Sequence, residues 1–190
     1  MENKNKPAMI TSTRAGYEYL LAYKITVPIY DLTVQFCGRY IKSFRMKEQM
    51  IQAARSGMQN ILEGNSQQGM KGYIKLSGIA RGSLEELLKD YISYARQNKV
   101  EIWLRERCLR EIREIGEIWE ILKKNKILPY SPNFPNLPNN IEKVINLMVT
   151  LINQANYLID RLIVSLKEKH MREGGLTEEL YRKRRDYRGF

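Results

Sequence analysis

Gln49 to Tyr94 reads QMIQAARSGMQNILEGNSQQGMKGYIKLSGIARGSLEELLKDYISY. Its apolar residues recur at helical spacing on both sides of Gly64 to Gly69, so the stretch folds as two helices joined by a turn. Small residues stand where larger side chains would be expected: Ala53 and Gly57 four apart in the first helix, Gly78 and Gly82 four apart in the second. An interior glycine costs a helix about 1 kcal/mol relative to alanine. The spacing therefore predicts close approach of another helix backbone at these four positions. On that reading Gly82→Leu overpacks the contact and destabilises the fold by about 1–3 kcal/mol.

Working outward, no long segment shows the strict alternation of a half-buried strand, and the chain reads as all-α. A first helix carries Tyr23, Val27, Tyr30, Val34, Cys37, Ile41 and Phe44 as a seam of heptad character. Pro28 lies inside that pattern, so a kinked helix is expected rather than one that starts near Thr26. The second helix is expected from about Lys47 to Glu63, with Gly64 ending it in a left-handed conformation. The third places Tyr73, Leu76, Ala80, Leu84, Leu87, Tyr91 and Tyr94 on one face and fades at Asn98 and Lys99. A further helix, about Glu101 to Lys124, has the stripe Leu104, Cys108, Ile112, Ile115, Trp119 and Leu122. Pro129, Pro132, Pro135 and Pro138 then recur every third residue, the period of polyproline II. That pattern predicts an extended strap tacked down by Tyr130, Phe134 and Leu137. Asn139 or Asn140 caps the last long helix, with a stripe of Ile141, Met148, Leu151, Ala155, Leu158 and Leu162. After Gly174 and Gly175, Thr177 is the expected N-cap of a short terminal helix or arm.

The 190 residues carry a net charge of +11 with a pI near 9.6, a balance that favours polyanionic partners. MENKNKPAM has no apolar run behind its charges, so no leader peptide is expected. The most apolar stretch, Ile141 to Leu166, is broken by Asn146, Asn153, Asp160 and Arg161, which argues for an amphipathic helix and against a membrane partner. Cys37 and Cys108 lie mid-helix without CxxC spacing and read as buried free thiols in a cytoplasmic protein.

Two motifs carry a resemblance. The first is Gln49, Ala53-Ala54, Ser56 and Asn60-Ile61-Leu62-Glu63-Gly64; the second is Tyr73, Leu76 and Ile79-Ala80-Arg81-Gly82-Ser83-Leu84-Glu85-Glu86-Leu87. Together they resemble the four-helix bundle proteins encoded in intervening sequences of bacterial 23S ribosomal RNA genes. That family includes the accessory variability proteins of diversity-generating retroelements. The likeness covers about Tyr23 to Tyr94 well and the later helices by pattern, and the strap and tail resemble a subgroup with a C-terminal suffix. Relatives often have an arginine pair where Ile51-Gln52 stand here, and Ile-Pro where Gly57-Met58 stand. The resemblance implies an antiparallel four-helix bundle, a barrel-like homopentameric ring, basic surfaces and no catalytic residues. In the retroelement branch it also implies binding of RNA or DNA and of a reverse transcriptase.

Between Arg39 and Arg113 there are fifteen Lys and Arg against eight Asp and Glu, so most of the excess charge lies there. Lys75, Lys89 and Arg96 fall in heptad register with Gly82 on the third helix, and Arg81 is beside them. Arg105 and Arg110, with Arg107 and Arg113, cluster on the next helix. Such rows neutralise phosphates by counterion release, although Glu85, Glu101, Glu106 and Glu111 can equally lace them into a solvated face. In the tail Arg182, Lys183, Arg184, Arg185 and Arg188 oppose only Asp186. Tyr181, Tyr187 and Phe190 interleave them and can stack on unpaired bases or pack on a neighbouring subunit. Glu111, Glu114, Glu117 and Glu120 recur every third residue, which winds around a helix instead of converging, and the single histidine, His170, is remote. Neither a metal, a cofactor nor a catalytic constellation is expected.

The sequence is thus read as a bundle domain over 1–172, with the strap at 125–140, and a basic suffix arm over 173–190. The expected function is non-enzymatic binding of RNA or single-stranded DNA by an oligomeric ring, in the service of a reverse transcriptase. The alternative is a protein–protein adaptor or a structural oligomer that does not bind nucleic acid directly.

Overall fold

The computed structural model describes residues 21–67, 69–123 and 136–189. Every regular element among them is helical: α1 (Leu21–Tyr40), α2 (Phe44–Ser66), α3 (Met70–Gln97), α4 (Arg105–Glu111), α5 (Arg113–Lys123), α6 (Ile141–Glu173) and α7 (Leu176–Arg188). The four long helices α1, α2, α3 and α6 close a cycle. α1 packs on α2, α2 on α3, α3 on α6, and α6 back on α1. The short α4 and α5 lie against α6, and α5 also reaches α1. Residues 1–20, with the expected absence of a leader, lie outside the described residues, as do Pro129, Tyr130, Pro132, Phe134 and Pro135 of the strap and Phe190 of the tail.

The inward face of α3 is the expected one: Ala80, Leu84, Leu87 and Tyr91 are fully buried. α1 buries most fully a second stripe beside the one its spacing suggests. Ile25, Ile29, Leu32 and Phe36 face the core; of the expected seam Cys37 is fully buried and Tyr23, Tyr30 and Ile41 pack partly buried against the core, whereas Val34 is exposed and Phe44 is 73% exposed. Two apolar stripes run along this helix, and the one with Ile, Leu and Phe buries more area than the Tyr and Val stripe beside it. Pro28 sits buried inside α1 rather than at its start. Phe36 then gathers Tyr91 and Tyr94, with ring centroids at 4.8 and 5.1 Å, while the Tyr91 hydroxyl donates to Thr33 Oγ1 at 3.1 Å.

The small residues divide. At Gly57 an added Cβ would lie 2.6 Å from Leu84 Cδ2, so α2 and α3 do meet over it, and Ala53 is buried nearby. At Gly78 and Gly82 an added Cβ would meet nothing within 4 Å. These two glycines face outward, and the expected overpacking by Gly82→Leu does not apply. Each stands two residues from an inward side chain, about 200° around the helix. Gly64 is not a left-handed terminus either. It is buried within α2, where an added Cβ would lie 2.6 Å from the Tyr73 ring, and the helix continues to Ser66.

α3 ends at Gln97, in keeping with its expected fading at Asn98 and Lys99; Lys99 adopts a left-handed φ of 57° and the Val100 N–H reaches back to the Ala95 carbonyl at 2.9 Å. Later boundaries differ from the spacing. Glu101 to Leu104 are not helical, Leu104 is 79% exposed, and the expected single helix to Lys124 is split at Ile112. Asn146 accounts for this segment. Fully buried on α6, it donates through Nδ2 to the carbonyls of Glu101 and Glu142 at 2.8 Å each and accepts the Trp103 N–H at 2.7 Å. The backbone before α4 is thereby tied to α6 instead of continuing α3. Asn140 caps α6 as expected, accepting from the N–H groups of Glu142 and Lys143. At the strap's end Leu137 is buried, with its N–H on Gln35 Oε1 and its carbonyl on Arg39. α7 begins earlier than expected: Gly175 precedes it, its N–H held by Glu178 Oε2 at 2.9 Å, and Thr177 lies within the first turn.

Candidate nucleic-acid interface

The signature residues of α2 and α3 turn out to hold those helices together. Ser56 Oγ and Ser83 Oγ are 2.9 Å apart, and Asn60 Nδ2 donates to both the carbonyl and the hydroxyl of Ser56. Gly64 receives the Tyr73 ring. Ser56, Asn60, Gly64, Tyr73 and Ser83 of the motifs therefore build the scaffold.

On the outer face of α3, Lys75, Lys89 and Arg96 are exposed in one row with Lys71, Gly78 and Gly82. None of Lys75, Lys89 and Arg96 has a carboxylate within ion-pair distance among the described residues. Arg81 is not part of this row. Its Nη1 binds Glu85 at 2.8 Å and its Nε binds Asp160 at 3.2 Å, which joins α3 to α6. Burial works against its charge, yet these two carboxylates outweigh it and hold the guanidinium more firmly protonated. Arg81 is spent on structure.

α4 presents Arg105 and Arg110, both exposed. Arg110 leans on Glu111 at 3.4 Å, and Arg105 has no acidic partner among the described residues. Arg107 between them is occupied: it stacks over Trp103 at 4.0 Å and binds Glu101 and Glu111 at 3.3 and 3.2 Å. Arg113 binds Glu117 at 2.9 Å. The glutamates of this region thus lace it into a solvated face, and Arg105 is the cation it leaves over.

α7 buries no residue. Arg182 donates to the Glu173 carbonyl at 2.6 Å, Lys183 pairs with Glu179 and Arg185 with Asp186, while Arg184 and Arg188 have no acidic partner among the described residues. The helix starts beside the beginning of α3, where a Cβ on Gly69 would lie 4.0 Å from Leu176 Cβ. The N-terminal end of the α3 row, at Lys71 and Lys75, and α7 therefore belong to one end of the molecule.

The opposite sign gathers along the flank of the α3 row. Glu48 and Gln52 of α2 and Glu86 and Asp90 of α3 line a groove of about 690 Å³. Burial, reinforced by Glu86, raises the Asp90 carboxyl above its usual range. Sequence reading missed this groove because its acids come from two helices, thinly spaced among bases.

Among the described residues no group of His, Cys, Asp and Glu could hold a metal ion, and no helix is long and apolar enough to cross a membrane. No curated protein and no solved structure matches the chain. One family model does match, that of the 23S rRNA-intervening sequence protein, over residues 18–124. These residues run through α5, contain both signature motifs, and make up more than half of the chain. The chain belongs to the 23S rRNA-intervening sequence protein family.

Proposed function

We propose that this protein is a non-enzymatic, cytoplasmic nucleic-acid-binding protein. In this reading α1, α2, α3 and α6 form an antiparallel four-helix bundle, and copies assemble into a barrel-like ring, a homopentamer. RNA or single-stranded DNA is held by Lys75, Lys89 and Arg96 on α3, Arg105 and Arg110 on α4, and the cations of α7. The ring serves a reverse transcriptase as in the retroelement branch. The observation that carries the proposal is α7: of Arg182, Lys183, Arg184, Arg185 and Arg188 on a helix that buries none of its residues, Arg184 and Arg188 have no acidic partner among the described residues, which leaves charge for a polyanion. Tyr181 and Tyr187, both exposed among them, offer faces for unpaired bases.

The test is a salt series of binding to a fluorescent single-stranded RNA and to DNA of the same sequence. Affinity should fall with log salt by roughly 0.7 per phosphate contacted. Arg188→Gln should flatten that slope by about 0.7 while leaving the assembly mass by light scattering unchanged. No binding at low salt would overturn the reading in favour of a protein adaptor.

A further inference from the structure

The acidic groove and α7 carry opposite charges: the groove acids have no ion-pair partner among the described residues, and on α7 Lys183 holds only Glu179 of its own helix while Arg184 has no acidic partner among the described residues. Glu48, Glu86 and Asp90 open into the α2–α3 groove with no cation within 4.0 Å among the described residues. In a chain of net charge +11, three such carboxylates on one furrow are a marked departure from the rest of the surface. α7 is their counterpart. At 3.6 residues per turn, Leu176, Leu180, Lys183 and Tyr187 share one face. That face is solvated: Leu180 is 51% and Tyr187 93% exposed. An apolar stripe on a helix ordinarily finds a surface to cover it.

We propose that α7 docks this face, with Lys183 and Arg184, into the acidic α2–α3 groove of a second copy of the chain. Reach excludes its own groove. α7 has 13 residues and so spans about 20 Å from its start beside Gly69. Glu86 and Asp90 lie seventeen and twenty-one residues along from Gly69, about 26 and 32 Å at the helical rise of 1.5 Å per residue. A helix folded back on its own chain stops short of both. Groove and helix are different surfaces, so the contact is head-to-tail, the kind that closes into a ring when the rotation between copies permits. Arg182, Arg185 and Arg188 turn away from the docking face by register. The inference does not depend on nucleic-acid binding.

The experiment contains no nucleic acid. Full-length Gln52→Cys, enlarged by a tag, is mixed with full-length Tyr187→Cys under mild oxidation at low salt. The native Cys37 and Cys108 are buried and stay out of the exchange. A disulfide-bridged band joining the two variants is expected. Adding Glu86→Lys and Asp90→Lys to the first chain should cut that band at least tenfold. Adding Lys183→Glu and Arg184→Glu to the second should then restore it, which a misfolded first chain could not allow. The idea is overturned by no bridge between mixed chains, by a bridge found only within a doubly substituted chain, or by a bridge that ignores the charge reversal.

Discussion

A single methyl separates the two kinds of glycine in this chain. Gly57→Ala places Cβ against Leu84, which is fully buried and has little room to move. It should lower stability by about 1–3 kcal/mol in chemical denaturation. Gly82→Ala adds its methyl to open solvent and should raise stability by about 0.5–1 kcal/mol through helix propensity alone. Equal effects at the two positions would contradict their placement. The spacing of small residues is legible in sequence, but the side they face is decided by their phase against Ala80, Leu84 and Leu87. Arg81 could not have been placed from sequence at all, because Asp160 is seventy-nine residues away and only folding brings the two together. Titration gives a second residue-scale expectation. Burial pushes the Cys37 thiol up to about 11, with Lys47 moderating the rise. The folded chain therefore holds that proton more tightly than the unfolded one. This contribution is complete below the ordinary thiol range and is lost as pH climbs through about 11. The Tyr91 phenol, also raised by burial, acts in the same direction. The melting temperature should fall over this alkaline range, and less steeply in Cys37→Ala.

Elements were easier to foresee than their junctions. Periodicity locates every long helix, because a 3.6-residue apolar repeat over many turns has few competing explanations. It cannot see that Glu101 to Leu104 leave the helix, because the cause is a side chain on α6, forty-odd residues later. In the sequence Asn146 reads only as a polar break in an apolar run; in the fold it satisfies three backbone groups of the core. Asn146→Ala should cost about 1–3 kcal/mol, the penalty for leaving buried polar groups unmade. Amide exchange should speed first at Trp103. Exchange confined to the α7 end would argue that the tie to Asn146 is dispensable.

For the whole molecule, Glu48, Glu86 and Asp90 are gathered into one furrow, an arrangement visible only once α2 and α3 are set side by side. The sequence shows a basic protein; the fold sets the bases in an outer row of α3, which borders the acidic furrow where Lys89 follows Glu86, and on a terminal helix. The cycle of long helices has a further consequence for how the chain is made. α6 buries Val144, Leu147, Leu151 and Ile159 against the others, yet it follows residue 124, where the family match ends. A ribosome releasing the chain must therefore hold α1, α2 and α3 with one flank uncovered until α6 emerges. A protein stopped at residue 124 should precipitate or bind a dye specific for exposed apolar surface, and adding a separate peptide of residues 139–173 should clear it. The piece of the chain that carries the family's signature is, on this account, the piece that cannot stand alone.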